Sequence, residues 1–367
     1  MRQFNEKYSS TGGVPGKTVW STVVAVWSGV GLPVWCFYGG VTCDSVVASQ
    51  TYGRIISIDF SLAYITGSLP SSIGNLKVME ILKLNDNSLG STIPSSIGDL
   101  TALTYLSLGG NFLTGTIPST IGGLTSLTSL ELYRNKMNGT LPDAIGRMES
   151  LQLINLYLNS LVGTIPSTIC AIRGLVSLFL SMNSLVGTIP TRIGSMTSLQ
   201  QLHLNENSLS GVIPSTIGDM KSLENVNLHS NLLVGTIPSI IGDMSALVVV
   251  GLDANSLAGT IPNAICRDTA LISLSLASNL LIGTIPSCFH SLDKLFHLQL
   301  NSNYLTMESS SSVSTTTFSR YTLDRGDLNI SSNCLSFRYK SIDVSATHCA
   351  PTPGKNMNNS VYDDAIK

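Results

Sequence analysis

Charged side chains are scarce in this chain of 367 residues, because only 11% of them are Asp, Glu, Lys or Arg. The formal net charge is −2, and the chain has no basic stripe that would neutralise phosphates or anionic lipids. Nucleic acid is therefore not an expected partner. The longest apolar runs, such as 22–27 and 247–252, are far shorter than the ~20 residues that cross a bilayer, so no membrane span is predicted.

A single motif recurs through most of the chain with a period of 24 residues and without a slip. Its marker is an asparagine that stands in an otherwise apolar run. The ten marker residues are Asn87, Asn111, Asn135, Asn159, Asn183, Asn207, Asn231, Asn255, Asn279 and Asn303. Fixed-period self-similarity is stronger evidence than chain length, so we expect one elongated solenoid.

Each period can be described by slots counted from its asparagine. Apolar residues fill the slots eight, five and three positions before it, as with Leu199, Leu202 and Leu204. The Leu-x-Leu alternation predicts a short strand. A glycine usually follows four positions after the marker, where it permits a conformation that a Cβ atom would strain. A proline follows seven positions after it and suits an extended segment leaving a turn.

The marker asparagine has a physical explanation. A coil this narrow turns its backbone inside its own core, where an unpaired amide or carbonyl group costs ~1–3 kcal/mol. The asparagine carboxamide offers two donors and an acceptor. We therefore predict a structural ladder of asparagines that bind the backbone of their own turn and of the next turn.

The repeat "LxxLxLxxNxLxGTIPSxIGxL" resembles the plant-type leucine-rich repeat, which occurs in receptor-like ectodomains and in polygalacturonase-inhibitor-like proteins. The resemblance covers eleven coils in residues 55–303, and the first coil has Ala63 in the asparagine slot. It implies an α/β-type solenoid, a right-handed superhelix with a parallel sheet on its concave side and a cap at each end.

The resemblance also divides the chain. Residues 1–54 resemble an N-terminal cap, in which "CFYGGVTC" is similar to the family pattern C-x-W-x-G-V-x-C. Residues 304–350 resemble an irregular last repeat with a C-terminal cap of the algal and protist type, and 351–367 are expected to form a flexible tail. The caps imply two disulfides, Cys36 with Cys43 and Cys334 with Cys349.

Three cysteines remain inside the array. Cys266 and Cys288 lie in adjacent coils at slots two residues apart, which leaves open whether they form a third disulfide. Cys170 is four coils from Cys266, roughly 19 Å at the strand spacing of a sheet, and is expected to be a free buried thiol.

Disulfides indicate an oxidising compartment, so we expect an extracellular or cell-surface location. The stretch 1–10 has no hydrophobic segment of the secretory type, so either a leader is already absent or the start of the gene is truncated. In such a compartment, the sequons at Asn138, Asn329 and Asn358 are candidate glycan acceptors.

Function is expected on the concave strands, because the slots six, four, two and one before each asparagine point to solvent. Large side chains cluster there across four neighbouring strands: Tyr105, Glu131, Tyr133, Arg134, Leu153, Tyr157, Leu158, Phe179 and Met182. Exposed aromatic, Met and Arg residues match the composition of binding hot spots, so a protein, peptide or glycan ligand is expected. The alternative is that large side chains accumulate harmlessly on a permissive surface.

Beside this cluster lie His203, Glu206, His229 and Asp253, of which His229 and Asp253 occupy the same slot in adjacent coils, ~5 Å apart. A histidine oriented by a carboxylate suits a hydrolase or a metal site. Neither a pocketed nucleophile nor a third ligand at a diagnostic spacing accompanies it. We therefore expect ligand binding with a pH-sensitive contact, and neither catalysis, metal nor cofactor.

An alternative function is suggested by the slot after the glycine. It holds Thr92, Thr116, Thr140, Thr164, Thr188, Thr236, Thr260 and Thr284. This threonine column suits a structural or surface protein that acts through its repeated faces, by self-association or by binding ice. The column is also explained as a family consensus copied by recent duplication. Because the fold supports both functions, the fold alone does not decide between them.

Overall fold

The computed structural model describes residues 39–44, 54–267 and 270–306, and the backbone of three further strands at 328–329, 337–339 and 342–344. Within these residues the chain winds through successive 24-residue coils, and each coil adds one strand to a long sheet. The predicted α/β-type solenoid, a right-handed superhelix with a parallel concave sheet, is confirmed.

Some predicted features lie outside the described residues, and their roles stay predictions. They are residues 1–38, Cys36, Cys334, Cys349, Asn358, the side chain of Asn329 and the tail at 351–367.

The strands of the concave sheet follow one another in chain order. All neighbouring strands are parallel except the first pair, which is antiparallel. The strands are Val41–Cys43, Ile55–Asp59, Ile81–Lys83, Tyr105–Ser107, Ser129–Glu131, Leu153–Asn155, Ser177–Phe179, Gln201–His203, Asn225–Asn227, Val249–Gly251, Ser273–Ser275, His297–Gln299 and Leu328–Asn329. Steps of 24 residues keep the register constant, so that Ile154, Leu178 and Leu202 lie in one row.

The core is a stack of apolar layers inside the coils. In one coil, Leu202 and Leu204 enter the core from the strand, and Ile213 and Ile217 enter it from the opposite side; all four are at most 5% exposed. Each layer packs on the equivalent layer of the next coil, so the burial of apolar surface is continuous along the solenoid.

The marker asparagines bind backbone groups as predicted. The Nδ2 group of Asn231 donates to the carbonyl oxygens of Leu228 at 3.1 Å and Leu204 at 3.0 Å. Its Oδ1 atom accepts from the backbone N–H of Leu209 at 2.9 Å. Leu204 and Leu209 belong to the preceding coil. The expectation that the ladder reaches the next turn was therefore wrong, because each carboxamide points from the end of its strand towards the lower-numbered neighbour.

The side opposite the concave sheet carries short 3₁₀-helices, which the sequence analysis did not predict. They are Ser71–Asn75, Ser95–Asp99, Ser119–Gly123, Asp143–Arg147, Ser167–Ala171, Ile193–Ser195, Ser215–Asp219, Ser239–Asp243, Asn263–Arg267 and Ser287–Ser291. The preceding proline is extended as predicted, for example Pro118 at φ −66° and ψ 138°. Segments of five residues or fewer complete less than two turns, a length at which the tighter 3₁₀ pattern is common.

A glycine eleven positions after the marker lets neighbouring 3₁₀-helices lie close together. A Cβ atom at Gly146 would come within 2.8 Å of the Thr168 Cβ atom in the next coil, which requires one of them to move. Cys170 and Cys266 occupy this slot in two coils. In the coil after Cys170, the helix is shortened to Ile193–Ser195.

The open question about the third disulfide is resolved, because Cys266 and Cys288 are bonded, with their Cα atoms 6.0 Å apart. Cys170 is free and buried, as predicted. Cys43 is disulfide-bonded too, while its predicted partner lies outside the described residues.

A second parallel sheet, which the sequence analysis did not predict, follows the asparagine markers. We call it the lateral sheet. Its strands are Val186–Thr188, Ser208–Val212, Leu232–Thr236, Ser256–Gly259, Leu280–Thr284 and Tyr304–Thr306. Within one of these strands Gly211 has φ 75°, a left-handed conformation that favours glycine.

Three smaller pairs of strands complete the described secondary structure. Two are parallel and lie in the earlier coils: Thr66–Ser68 with Ser88–Gly90, and Thr114–Gly115 with Lys136–Met137. The third is antiparallel and joins Phe337–Tyr339 to Ile342–Val344. Within the described part of the chain, no helix has the length and hydrophobicity needed to cross a membrane.

Candidate functional site on the concave sheet

The regular register of the concave sheet places candidate side chains beside one another. Leu153, Ser177 and Gln201 are paired across adjacent strands, as are Phe179 and His203 in a second row. These positions alternate with the buried leucines, so their side chains leave the opposite face of the sheet. The scaffold therefore fixes the spacing of the candidate residues along the solenoid.

Glu131 is held by hydroxyl groups from its own and the preceding strand. The Tyr105 hydroxyl donates to Glu131 Oε1, and the Ser129 hydroxyl donates to the same atom at 3.1 Å. Burial, followed by the hydrogen bond to Glu131, raises the pKa of Tyr105 above its usual range. Two predicted ligand-binding residues, Tyr105 and Glu131, therefore already satisfy each other within the protein.

The ring of Tyr133 lies against a glycine of the preceding coil. A Cβ atom at Gly109 would come within 2.6 Å of the Tyr133 Cδ1 atom, so only glycine leaves room for this ring position. Burial, followed by the charge of Asp86, raises the pKa of the Tyr133 hydroxyl. Packing against Gly109 thus orients the ring before any ligand arrives.

The slot directly before the marker asparagine forms a rim along one edge of the concave sheet. Arg134, Leu158, Met182 and Glu206 occupy it with φ between 49° and 56°. Non-glycine residues in other coils adopt the same left-handed conformation, so it belongs to the repeat and does not mark these four residues as functional. Arg134 and Leu158 are exposed, and Leu158 is 40% exposed.

The histidine cluster is more buried than the slot pattern predicted. His229 is only 1% exposed, so its side chain, contrary to expectation, is not open to solvent, although its slot leaves the outer face of the sheet. Its Nδ1 atom lies 3.0 Å from the Ser230 hydroxyl, and its backbone N–H donates to Asn227 Oδ1. The physical reason is that neighbouring polar side chains cover it. Burial lowers the pKa of His229, whereas nearby Asp253 and Glu206 raise it.

His203 packs edge-on against Phe179, with ring centroids 4.9 Å apart. Burial, followed by the proximity of His229, lowers the pKa of His203 to about 4. Burial also raises the pKa of Asp253, although His229 and the Ser275 hydroxyl act in the opposite direction. At neutral pH His203 is therefore an uncharged polar group beside an aromatic ring.

Three buried polar atoms of the described chain have no hydrogen-bond partner, and all three lie on the concave sheet: His203 Nε2, Asn225 Oδ1 and Asp253 Oδ1. An unpaired buried polar atom costs ~1–3 kcal/mol. The sequence analysis missed Asn225. The available signal was the run of carboxamides in concave slots, which also includes Gln201, Asn205 and Asn227.

This arrangement suits recognition by hydrogen bonding and aromatic packing. Glu131 is already paired with Tyr105, and the ring of His203 packs against the ring of Phe179. Among the described residues, no group of three or more His, Cys, Asp or Glu side chains is arranged to hold a metal ion.

The outer face of the lateral sheet is a second surface of interest, which we call the lateral face. None of the residues in its six strands is charged. Val212, Leu232 and Ile282 are each more than half exposed there. Three threonines of the column, Thr188, Thr236 and Thr284, belong to these strands, in the same slot as Val212. A Cβ atom at Gly211 would come within 2.8 Å of the Thr188 methyl carbon. Since equivalent methyl groups face the next glycine in successive coils, their rotamers are alike.

Two further sites, the sequon at Asn138 and a groove beside Cys170, have fewer features that indicate binding. Asn138 is exposed, which makes its side chain accessible, and its glycosylation stays a prediction. A shallow groove of about 850 Å³ opens beside Cys170 on the 3₁₀-helix side, lined by Arg147 and Arg192 but also by Asp143. Opposite charges are therefore mixed within that groove.

Comparison with protein-family models matches the Leucine rich repeat at residues 78–137, 101–161, 198–220 and 270–292. Comparison with curated protein sequences gives no match.

Several solved structures are similar to this chain. The plant peptide hormone receptor RGFR1 in complex with RGF2 is 34% identical, with a TM-score of 0.66, over 76% of this chain and 51% of the receptor chain. The Arabidopsis receptor kinase HAESA, in complex with the peptide hormone IDA and the co-receptor SERK1, is 27% identical, with a TM-score of 0.67, over 86% and 59%. A plant ice-binding protein is 25% identical, with a TM-score of 0.59, over 76% and 89%.

The chain thus spans little more than half the length of these two receptor chains. The unbroken 24-residue period, the parallel concave sheet with its asparagine ladder, and these similarities together identify the chain as a plant-type leucine-rich-repeat protein.

Proposed function

We propose that this protein is an extracellular recognition module that binds a peptide on its concave sheet. The observation that carries the proposal is a cluster of aromatic and apolar side chains, Tyr133, Tyr157, Leu158, Phe179 and Met182, on three successive coils. Residues of this kind dominate the energy of binding when they lie together at the centre of an interface.

The scaffold favours tight binding because the cluster lies on or beside strands and not on long loops. Little conformational freedom is lost when a ligand meets a surface that is already ordered. Tyr133 illustrates this, since its ring is held against Gly109. Both RGFR1 and HAESA were solved with peptide hormones, which supports a peptide over a globular protein or a glycan as the ligand.

An extracellular location is supported by the bond between Cys266 and Cys288, because structural disulfides persist in oxidising compartments. The similarity to receptor ectodomains supports the same location.

The test is affinity capture of peptides from the native extracellular fraction by the intact protein, followed by mass spectrometry. A captured peptide is then synthesised and titrated against the triple variant Tyr133→Ala, Tyr157→Ala and Phe179→Ala. We expect the variant to bind roughly 100-fold more weakly, because each truncation removes an aromatic contact.

A matched control removes three exposed apolar side chains elsewhere. The variant Val212→Ala, Leu232→Ala and Ile282→Ala alters only the lateral face and should bind the peptide with unchanged affinity. Equal losses in both variants, or capture of a glycan without peptide, would contradict the proposal.

The lateral face favours a second candidate function, the binding of ice. It is uncharged, its threonine methyl groups share one orientation, and a plant ice-binding protein is similar over 76% of this chain. The test is thermal hysteresis at high protein concentration. We expect Thr188→Lys with Thr236→Lys to abolish it and the concave triple variant to retain it. No hysteresis in the unaltered protein would exclude this function, and sedimentation would show whether the face drives self-association instead.

A further inference from the structure

The concave sheet changes character along its length. The coils of Asn135, Asn159 and Asn183 carry the aromatic cluster, whereas the coils of Asn207, Asn231 and Asn255 carry carboxamides, imidazoles and carboxylates. We call these two regions the aromatic half and the polar half. The change occurs between Phe179 and His203, whose rings are in contact.

The polar half carries acidic side chains but no basic side chain that would balance their charge. The concave segments of the polar half, 199–207, 223–231 and 247–255, contain no lysine or arginine, and their acidic residues are Glu206, Glu224 and Asp253. The flanking concave segments 175–183, 271–279 and 295–303 contain no charged residue that could compensate for them. In the described part of the chain, no lysine or arginine forms an ion pair with any of these three carboxylates. His203 does not supply a positive charge at neutral pH, because burial lowers its pKa to about 4.

The unpaired buried atoms specify which chemical group fits. Asn225 Oδ1 and Asp253 Oδ1 are acceptors, so each is satisfied only by a hydrogen-bond donor. Both atoms are buried, so a ligand reaches them only when neighbouring groups move, and changes of side-chain rotamer are common at binding interfaces. A group that combines several donors with a positive charge complements both the acceptors and the carboxylates.

We propose that the polar half binds a cationic group of the ligand, a lysine or arginine side chain or a free amino terminus, between Glu206 and Asp253. This inference rests on the proposed peptide-binding function. It predicts which types of residue the peptide contains and how the peptide is oriented along the solenoid. Its apolar part covers the aromatic half, and its basic part lies towards the C-terminal coils.

The repeat also sets the spacing within the ligand. Tyr157 and Asp253 lie four coils apart, which is roughly 19 Å at the spacing of neighbouring strands. An extended peptide advances about 3.3 Å per residue. Glu206 lies only two coils from Tyr157, roughly 10 Å, so a basic group between Glu206 and Asp253 lies about three to six residues from the aromatic or apolar anchor.

The experiment uses a displayed library of random 12-residue peptides selected against the intact protein. We expect selected peptides to carry lysine or arginine about three to six residues from an aromatic residue or leucine. One selected peptide is then synthesised with its basic residue, with glutamine in that place, and with an acetylated amino terminus. The acetylated form separates binding through the amino terminus from binding through a side chain.

Each peptide is titrated against the variant Glu206→Gln with Asp253→Asn. We expect the basic peptide to lose about 10- to 100-fold in affinity, and the glutamine peptide to bind the variant and the unaltered protein equally. The control is Asp143→Asn with Asp219→Asn, which removes two exposed charges from the 3₁₀-helix side and should change neither affinity.

The outcomes separate this inference from the function on which it rests. If the selected peptides lack basic residues, the cation site is wrong and the peptide-binding function stands. The same conclusion holds if the variant Glu206→Gln with Asp253→Asn binds the peptides normally while Tyr157→Ala with Phe179→Ala does not. If no peptide is selected at all, the peptide-binding function is wrong and the inference with it.

Discussion

Cys170 lies beside Arg192 of the next coil, in the same two slots in which Cys266 and Cys288 form a disulfide. Both pairs are 22 residues apart. Burial raises the pKa of the Cys170 thiol, and the positive charge of Arg192 opposes that change. Positions 170 and 192 therefore have the spacing of the disulfide-bonded pair, but the second position holds arginine and not cysteine.

The substitution Arg192→Cys should complete that geometry and form a bond with Cys170. Closing a loop of this length stabilises a protein by about 3 kcal/mol when native strain is small. Alkylation under denaturing, non-reducing conditions should then leave Cys170 unmodified, and urea unfolding should shift to higher concentration. Arg192→Ser provides the control without a new thiol. A modified Cys170 in the oxidised variant would show that the two slots are not equivalent.

Removing a buried marker should cost more than removing a half-buried one. Asn231 is 6% exposed, and replacement by leucine leaves the N–H of Leu209 without its partner. It also removes one of the two carboxamide bonds that each of the carbonyls of Leu204 and Leu228 accepts, the other bonds coming from Asn207 and Asn255. With ~1–3 kcal/mol for the unpaired N–H and about 1 kcal/mol for each of the two lost hydrogen bonds, we expect Asn231→Leu to destabilise the protein by about 3–5 kcal/mol.

Asn255 makes the equivalent bonds but is only half-buried. Water can replace part of its bonding, so Asn255→Leu should cost less. Urea unfolding of both variants measures the difference, and equal costs would show that burial does not control the strength of the ladder.

Close packing of the 3₁₀-helices predicts a contrast between two glycines. A Cβ atom at Gly242 would overlap the carbonyl group of Ala264 in the next coil, whereas nothing lies within 4 Å of a Cβ atom at Gly174. We expect Gly242→Ala to cost about 1–3 kcal/mol and Gly174→Ala to change stability by less than about 0.5 kcal/mol. Thermal unfolding of both variants measures the difference in stability. If Gly242→Ala left stability unchanged, the adjacent 3₁₀-helices would be able to move apart at no cost.

Acid should destabilise the protein partly through His203. Its pKa is about 4 in the folded protein, against about 6.5 in the unfolded chain. Between these values the unfolded state binds a proton that the folded state does not, so stability is retained above pH 6.5 and falls as the pH decreases towards 4. We expect this loss to reach about 3 kcal/mol and to be absent in His203→Gln. Urea unfolding at pH 7, 5.5 and 4 compares the two proteins, and parallel curves would exclude His203 as the cause.

Much of the fold could be predicted because one slot has one physical role in every coil. Leu202 and Asn207 are examples, since alternation predicts burial of the first and backbone pairing explains the second. The lateral sheet was missed because its strands contain a glycine at positive φ, such as Gly211, in a segment that resembles a turn.

The candidate site was predicted less completely because it depends on contacts between coils. Counting slots placed Tyr105 and Glu131 on the concave sheet. It did not predict that the hydroxyl of Tyr105 donates a hydrogen bond to the carboxylate of Glu131. The burial of His229 was missed for the same reason, since its slot alternates outward and only the neighbouring side chains cover it.

The bonds of each marker asparagine end within its own coil or the one before it, as those of Asn231 do. Deleting or duplicating one entire period therefore leaves every other carboxamide with an equivalent set of partners. Recombination between the copies in the gene can lengthen or shorten the binding surface in increments of roughly 4.8 Å, the separation of adjacent strands. The number of coils thus sets the length of the concave surface, so evolution can fit the protein to ligands of different lengths without changing the structure of the individual coil.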